Sequence, residues 1–281
     1  MHRQKKSGAM HRFLKNKLSI LGMIVIIVFV LVAIFAHQLA PYDYAAQDLP
    51  AMYLSPCAEH PFGTDSLGRD MLSRVIYGTR ISLLIGFSSV FISLLIGTLL
   101  GCIAGFYGGK IDTLIMRFMD IMLAVPSVLL AIVIAAVLGT GVFNLILAIG
   151  IASIPSYARI VRASILSIRD QEYIEAARIS GCSDARMILR HILPNILAPV
   201  IVQTTLGLGL AILNASGLSF LGLGVEAPMP EWGSMLAAAR GTMRNYPYLV
   251  FFPGLAIVLV VLAFNMVGDG LRDALDPRMK N

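Results

Sequence analysis

Residues 121–158 read IMLAVPSVLLAIVIAAVLGTGVFNLILAIGIASIPSYA, and these 38 positions, Ile121 to Ala158, contain no Asp, Glu, Lys or Arg. As a single helix the run would extend about 57 Å at ~1.5 Å per residue. The hydrocarbon core of a bilayer is only ~30 Å thick. Gly139-Thr140-Gly141 lies near the middle, where glycines favour a turn. The run is therefore predicted to cross a membrane twice, over 115–138 and 142–160.

Similar runs lie on either side. Leu18–Ala36 follows a basic tail, Ile81–Tyr107 supplies another crossing, His191–Val225 a fifth beginning near Pro194, and Asn245–Gly268 a sixth. Composition agrees, with 57% hydrophobic and only 14% charged residues. Soluble domains carry about a quarter charged. The first run exceeds the roughly 7–15 apolar residues of a secretory signal, and Ala33 and Ala36 do not form an A-x-A cleavage site, so it is predicted to stay as an anchor helix. The expected fold is an all-α membrane protein of six transmembrane helices.

The net charge of +6 invites a nucleic-acid reading, and its distribution argues against one. With the N-terminus in the cytoplasm, segments 1–17, 108–117, 159–193 and 269–281 lie inside and hold 17 of the 22 Lys and Arg. The outer loops 37–80 and 216–247 hold the other five. Cationic residues gather on the cytoplasmic side of membrane proteins. A count of five spans would put the six arginines of 159–193 outside, so six is preferred, with both termini cytoplasmic and no nucleic-acid partner.

Several patterns are read as packing. Gly97, Gly101 and Gly105 recur every four residues, a spacing that lets membrane helices approach closely. Met116, Met119 and Met122 suit packing better than a soft-metal path. Arg117 and Asp120 are expected to pair. No ionisable residue falls at mid-membrane in any predicted span, which weakens proton-coupled transport. Cys57, Cys102 and Cys182 lack C-x-x-C spacing, Cys57 with His60 makes a poor metal site, and no metal is expected. Gly217-Leu-Ser219 superficially resembles a nucleophile turn, but no span contains a histidine to act as its base. The chain is not expected to be an enzyme.

The cytoplasmic stretch 170–193 is more informative. Asp170 suits an N-cap and Glu172 a first helical turn. Ala176 and Ala177 favour helix, Gly181 fits a C′ stop, and Ser183 is suited to cap a second short helix running to Pro194. Tyr173, Ala176, Ala177 and Ser180 share one face, whose small residues leave room for a docking surface. An ordinary amphipathic interfacial loop has the same spacing.

Glu175-Ala176-Ala177, then Gly181, then Leu193-Pro194 resembles the EAA loop of ABC importer permeases, with His191 standing where the family has isoleucine. The resemblance spans nearly the whole chain and points to the dipeptide/oligopeptide/nickel branch, to the second permease of the pair. It rests on Phe13–Lys17, His60–Asp65, Gly68-Arg69-Asp70, Gly217–Gly224, Pro230–Gly233, Phe264-Asn265 and Gly268–Pro277. It implies a type I ABC importer permease fold in the bacterial cytoplasmic (inner) membrane, with a coupling helix between helices 4 and 5. Tyr173, Glu175, Ala176, Ala177, Gly181, Leu193 and Pro194 then belong to the ATPase-coupling loop. Implied partners are a homologous second permease, two ATP-binding subunits, an extracytoplasmic solute-binding protein and membrane lipid. The implied cargo is a di- or oligopeptide, with nickel or a glutathione-like solute as alternatives. ATP and Mg belong to the ATPases: this chain lacks a G-x-x-x-x-G-K-[ST] loop, its only Gly-Lys being Gly109-Lys110 before Ile111.

The chain divides into an N-terminal tail, first helix and outer loop (1–80), a five-helix core (81–270) and a cytoplasmic tail (271–281). The outer loops, with Pro41, Pro50, Pro56 and Pro61 in one and Trp232 in another, are expected to cap the bundle and offer a rim to the binding protein. Asp65, Arg69 and Asp70 are expected to pair there as exposed ions worth ~0–1 kcal/mol each. Asn144, Asn214 and Ser216 are the polar candidates for lining the translocation path. An ATP-independent secondary transporter would instead show inverted repeats, which are not evident.

Overall fold

The computed structural model describes residues 11–275. The first ten residues of the basic tail and Asp276-Pro277 of the C-terminal motif lie outside that range. The described residues form helices α1 (Lys17–Ile34), α2 (Met71–Tyr107), α3 (Gly109–Ala124), α4 (Ser127–Leu138), α5 (Val142–Leu166), α6 (Glu172–Ile179), α7 (Leu193–Phe220), α8 (Trp232–Ala239) and α9 (Tyr248–Leu275). Among them, the only β pairing is an isolated bridge between Thr64 and Asp70.

Five helical stretches are long and apolar enough to cross a membrane: α1, α2, α5, α9, and α7 with its helical lead-in from Asp184. The third predicted span, 115–138, is not one straight helix. α3 and α4 meet at 89°. The cause is Pro126, which has no N–H to donate and disfavours helical geometry at the residue before it. Val125 is extended, with ψ 130°, and Pro126 has ψ 131°.

α2 begins ten residues before the predicted span at Ile81, because Asp70 caps it by accepting from the Ser73 N–H at 2.7 Å. α1 is capped the same way by Asn16, whose side chain accepts from the N–H groups of Leu18 and Ser19. It lies against α9, where Ser19 donates to the Met266 carbonyl at 3.3 Å.

The core centres on α2 packed against α5. A Cβ placed on Gly97 would meet Tyr157 Cβ at 2.5 Å, and one on Gly101 would meet the Ala158 carbonyl oxygen at 2.6 Å. On Gly105 it would meet Ile165 Cβ at 2.9 Å. One turn nearer the outer side, Ser93 donates to the Gly150 carbonyl at 2.8 Å. In lipid, where burial of apolar surface gives little preference for helix on helix, such close backbone approach supplies the attraction.

α3 crosses α5 steeply. Arg162 donates to Asp112 at 2.6 Å and Arg159 to Asp120 at 2.8 Å, so eight residues of α3 are matched by three of α5. The expected Arg117–Asp120 pair does not form: α3 turns Asp120 toward the arginines of α5 and leaves Arg117 exposed. Met119 is buried, with Met116 and Met122 packed beside it against Ile154, Ala158 and Leu100.

The cap formed by the 37–80 and 216–247 loops is built around buried charge, which corrects the expectation of exposed pairs. Asp65, Arg69 and Asp70 are all under a tenth exposed. Arg69 donates to Asp65 at 2.7 Å, and Asp70 contacts His60 at 2.9 Å. Arg74 donates to the carbonyls of Tyr44 and Pro228, tying the two outer loops together. Phe62 stacks on Phe252 and Tyr53 on Tyr246. These contacts sequester the ions from water, so removing one partner strands a buried charge.

Trp232 is fully buried and donates its indole N–H to the Val75 carbonyl. Beside it Glu231 caps α8, accepting from the N–H groups of Gly233 and Ser234 at 2.9 and 2.8 Å. Burial pushes the Glu231 carboxyl above its ordinary range, partly opposed by those donors and by neighbouring hydroxyls.

Candidate functional site

The segment between α5 and α7 forms a helix, a left-handed stop and a second helix. The α6 stop has Schellman geometry: the Cys182 N–H reaches the Ala177 carbonyl at 3.1 Å and the Gly181 N–H that of Arg178 at 3.0 Å. Gly181 has φ +74°, a conformation that side chains other than glycine resist. The expected Asp170 cap is not made. The chain is still turning at that point, with the Gln171 N–H on the Ile168 carbonyl, so Gln171 takes the cap position. Asp170 instead pairs loosely with Arg169 at 3.4 Å. Ser183 stands at the next N-cap without a side-chain bond.

Asp184 then leads continuously into α7 through a widened π turn, Met187–Ile192. Pro194 stands just after it and cannot donate to the Arg190 carbonyl, which loosens the helix there.

Ile174 seats α6. It is only 1% exposed and belongs to one buried cluster with Cys102 of α2, Val161 and Ile165 of α5, Met187 and Ile192 of the π turn, and Ile196 and Val200 of α7. The opposite face, with Tyr173, Glu175, Ala176, Ser180 and Gly181, is exposed, and Ala177 and Leu193 lie partly covered beside the cluster. Ile179 is 82% exposed and Leu189 67%. An exposed apolar surface with a rigid footing lies here, the kind of patch that marks interaction sites.

The path candidates do not converge. Asn144 spends its amide on the Leu138 and Thr140 carbonyls at 2.8 and 3.1 Å, bracing the turn between α4 and α5. Ser216 is buried where α8 packs, with Gly233 tight against its backbone, while Asn214 is partly exposed on α7. Ser219, of the superficial nucleophile turn, is also buried and lies against Gly224.

A cavity of about 590 Å³ opens between the C-terminal parts of α5 and α9 and the N-terminal half of α7. Ser164, Ser167, Asn195, Gln203 and Arg272 are its polar lining. Gln203 opens the polar triplet Gln203-Thr204-Thr205 inside an apolar run, and only the fold brings it to the same cavity as Ser164 and Arg272.

Among the described residues no group of three or more His, Cys, Asp or Glu is placed to hold a metal. The cysteines are free, and Cys57 accepts from the His60 N–H at 3.4 Å within a turn.

Five long apolar helices, a broken sixth and an exposed short helix sharing a buried cluster with three of them define a multi-pass membrane transport subunit. Residues 97–281 match the family described as binding-protein-dependent transport system inner membrane component, and residues 7–56 match the N-terminal TM domain of oligopeptide transport permease C. The chain belongs to this family of ABC importer permeases. It is 54% identical to a dipeptide transport system permease protein, DppC, of Alkalihalophilus pseudofirmus, over 95% of this chain and 88% of the relative. It is 49% identical to a di/tripeptide transport system permease protein of Pseudomonas aeruginosa, over 96% and 91%. A glutathione transport system permease protein, GsiD, of Escherichia coli is also 49% identical, over 96% and 89%. Among solved structures, a chain of the MetNI methionine ABC transporter in an inward-facing form aligns with TM-score 0.60 at 18% identity, covering 73% of this chain and 98% of that one. A chain of an amino acid ABC transporter aligns with TM-score 0.56 at 17% identity, over 73% and 95%. These show the type I permease fold.

Proposed function

We propose that this chain forms half of the translocation path of an ATP-driven importer of di- or oligopeptides in the cytoplasmic membrane, with both termini inside. The dipeptide and di/tripeptide permease relatives support the cargo, and the glutathione relatives support a glutathione-like peptide as the second reading. The five-helix core 81–270 carries the path, and residues 1–80 add the peripheral helix and outer cap. A homologous permease supplies the other half, and a solute-binding protein delivers cargo to the outer rim. ATP and Mg belong to two ATPase subunits.

One observation carries the mechanism: α6 shares a single buried cluster with α2, α5 and α7. ATP-driven closure of the ATPases pushes the exposed face of Tyr173, Glu175, Ala176, Ala177 and Gly181. The cluster, with Leu193 and Pro194 at the head of α7, passes the push to three spans at once. Rigid-body tilting of those spans alternates access between the two sides. The cavity lined by Gln203 and Arg272 is the inner mouth of the path. Gly97, Gly101 and Gly105 hold α2 on α5 so that the pair tilts as one.

The test is uptake into proteoliposomes holding this chain, a partner permease, the ATPases and the binding protein. Labelled dipeptides, oligopeptides, glutathione and nickel are offered separately. ATP-dependent accumulation of peptides is expected. Accumulation of nickel alone overturns the cargo, and accumulation without ATP overturns the mechanism.

A further inference from the structure

The bend at Pro126 gives α3 a surface that the import mechanism does not use. α4 runs beside the outer half of α5, where Ala131 and Ala135 are buried in the same cluster as Leu145 and Ile149. α3, at 89° to α4, therefore lies across the bundle rather than along it. Its ion pairs with Arg159 and Arg162 set its level at the cytoplasmic end of α5, beside the end of α2 at Tyr107. With the orientation proposed above, this end of the bundle lies at the depth of the inner lipid headgroups.

The two faces of α3 are sharply different. Asp112, Met119 and Asp120 are directed onto α5. The outward stripe repeats at helical spacing: Lys110, Leu114, Arg117, Ile121, with Phe118 beside it. Leu114 is 74% exposed, Phe118 60% and Ile121 68%. Both carboxylates of α3 are consumed by arginines of α5, and among the described residues Lys110 and Arg117 have no ionic partner. Together with Gly109, Thr113 and Leu114 they line an open surface hollow. Lys110 and Arg117 lie about 10 Å apart along the helix, at ~1.5 Å per residue. Their long stems allow both heads to converge on one group between them.

We propose that this face of α3 is a binding site for an anionic phospholipid of the inner leaflet. Lys110 and Arg117 hold the phosphodiester, and Leu114, Phe118 and Ile121 lie along its acyl chains. Charge complementarity selects this occupant: the acids of α3 are engaged by the arginines of α5, and the stripe keeps two cations flanking an apolar strip. A basic amphipathic helix in this position takes up anionic lipid. The site is independent of the imported solute.

The test uses the full chain, alone and in the assembled complex, in nanodiscs of phosphatidylcholine with a minor fraction of phosphatidylglycerol. Native mass spectrometry after graded delipidation reads the retained lipid. The wild type is expected to retain phosphatidylglycerol over phosphatidylcholine. Lys110→Gln/Arg117→Gln is expected to lose that preference about 10–30-fold, each cation near an anionic surface counting for about a factor of five. The charge-matched outer variant Arg240→Gln/Arg244→Gln is expected to keep it. Equal retention in the α3 variant and the wild type overturns the site. A photoactivatable phosphatidylglycerol on the wild type gives a second readout that needs no variant. Cross-links concentrated in 110–121 are expected, in the complex as well as the lone chain. Cross-links elsewhere, or their loss on assembly because a protein partner covers α3, overturn the proposal. Excess inorganic phosphate is expected not to displace the label; if it does, the site reads a free anion and the lipid assignment fails.

Discussion

Gly97→Ala adds one methyl group to the α2–α5 seam. Its carbon would stand 2.5 Å from Tyr157 Cβ, 2.9 Å from the Ile154 carbonyl oxygen and 3.1 Å from the Ala158 nitrogen. Ordinary contact begins near 3.4 Å, so the helices must separate by about 0.9 Å for the tightest of these. Two of the three atoms are backbone and the third is a Cβ, so no rotamer change relieves them. Overpacking of this kind costs about 1–3 kcal/mol. The ordinary helix-propensity gain of Gly→Ala, up to about 1 kcal/mol, offsets part of it. A net loss of about 1–2 kcal/mol is expected. At about 2–4 °C per kcal/mol for a chain of this size, that lowers Tm by roughly 2–8 °C. Gly254→Ala is the control, because a Cβ there meets nothing within 4 Å. Thermal unfolding of the detergent-purified chain reads both. Equal Tm for Gly97→Ala and wild type, or an equal fall for Gly254→Ala, refutes the reasoning. Gly97→Ala/Gly101→Ala should be less than additive, since both open the same seam.

Glu231 predicts a pH dependence. Its carboxyl takes a proton more readily folded than unfolded, so this contribution to stability is complete below the ordinary carboxyl range and is lost as pH rises through the raised folded value. Tm of the wild type against pH should show that decline, and Glu231→Gln, which keeps an acceptor for α8, should flatten it. Pro126→Ala should allow α3 and α4 to straighten. Spin labels at Thr113 and Val137 should then move from about 25 Å toward about 36 Å, the lengths of bent and straight helices at ~1.5 Å per residue. An unchanged distance would show that tertiary packing, and not the proline, holds the bend.

The spans were legible because an uncharged run of about 20 residues has few other uses. The bend was legible too, in Pro126, but the uninterrupted apolarity of 121–158 drew attention to length and hid the break. Arg117 and Asp120 show a different limit. Their spacing permits a pair on an isolated helix, and only the crossing of α3 over α5 offers Asp120 the better partner, Arg159. Asp65, Arg69 and Asp70 read as exposed because loop position says nothing of what folds over it; Arg74 and the Pro228 segment cover them. In the cytoplasmic element the Gly181 stop was written in the chain, whereas the Ile174 seat depends on residues from three other helices. Asn144, Asn214 and Ser216 stand out in the sequence by polarity alone, and polarity does not separate a residue that braces a turn, as Asn144 does, from one that lines a cavity.

The most direct test of the coupling account measures ATP hydrolysis and peptide uptake together in proteoliposomes of the full complex, with wild type, Gly181→Arg and Ile174→Asp compared. Gly181→Arg places a bulky cation at φ +74° on the exposed face, and Ile174→Asp puts a charge into the cluster that seats α6. The account predicts that both variants lose most uptake: Gly181→Arg by weakening ATPase docking, Ile174→Asp by leaving hydrolysis running without transport. Normal uptake by Gly181→Arg, or normal uptake per ATP hydrolysed by Ile174→Asp, would contradict it.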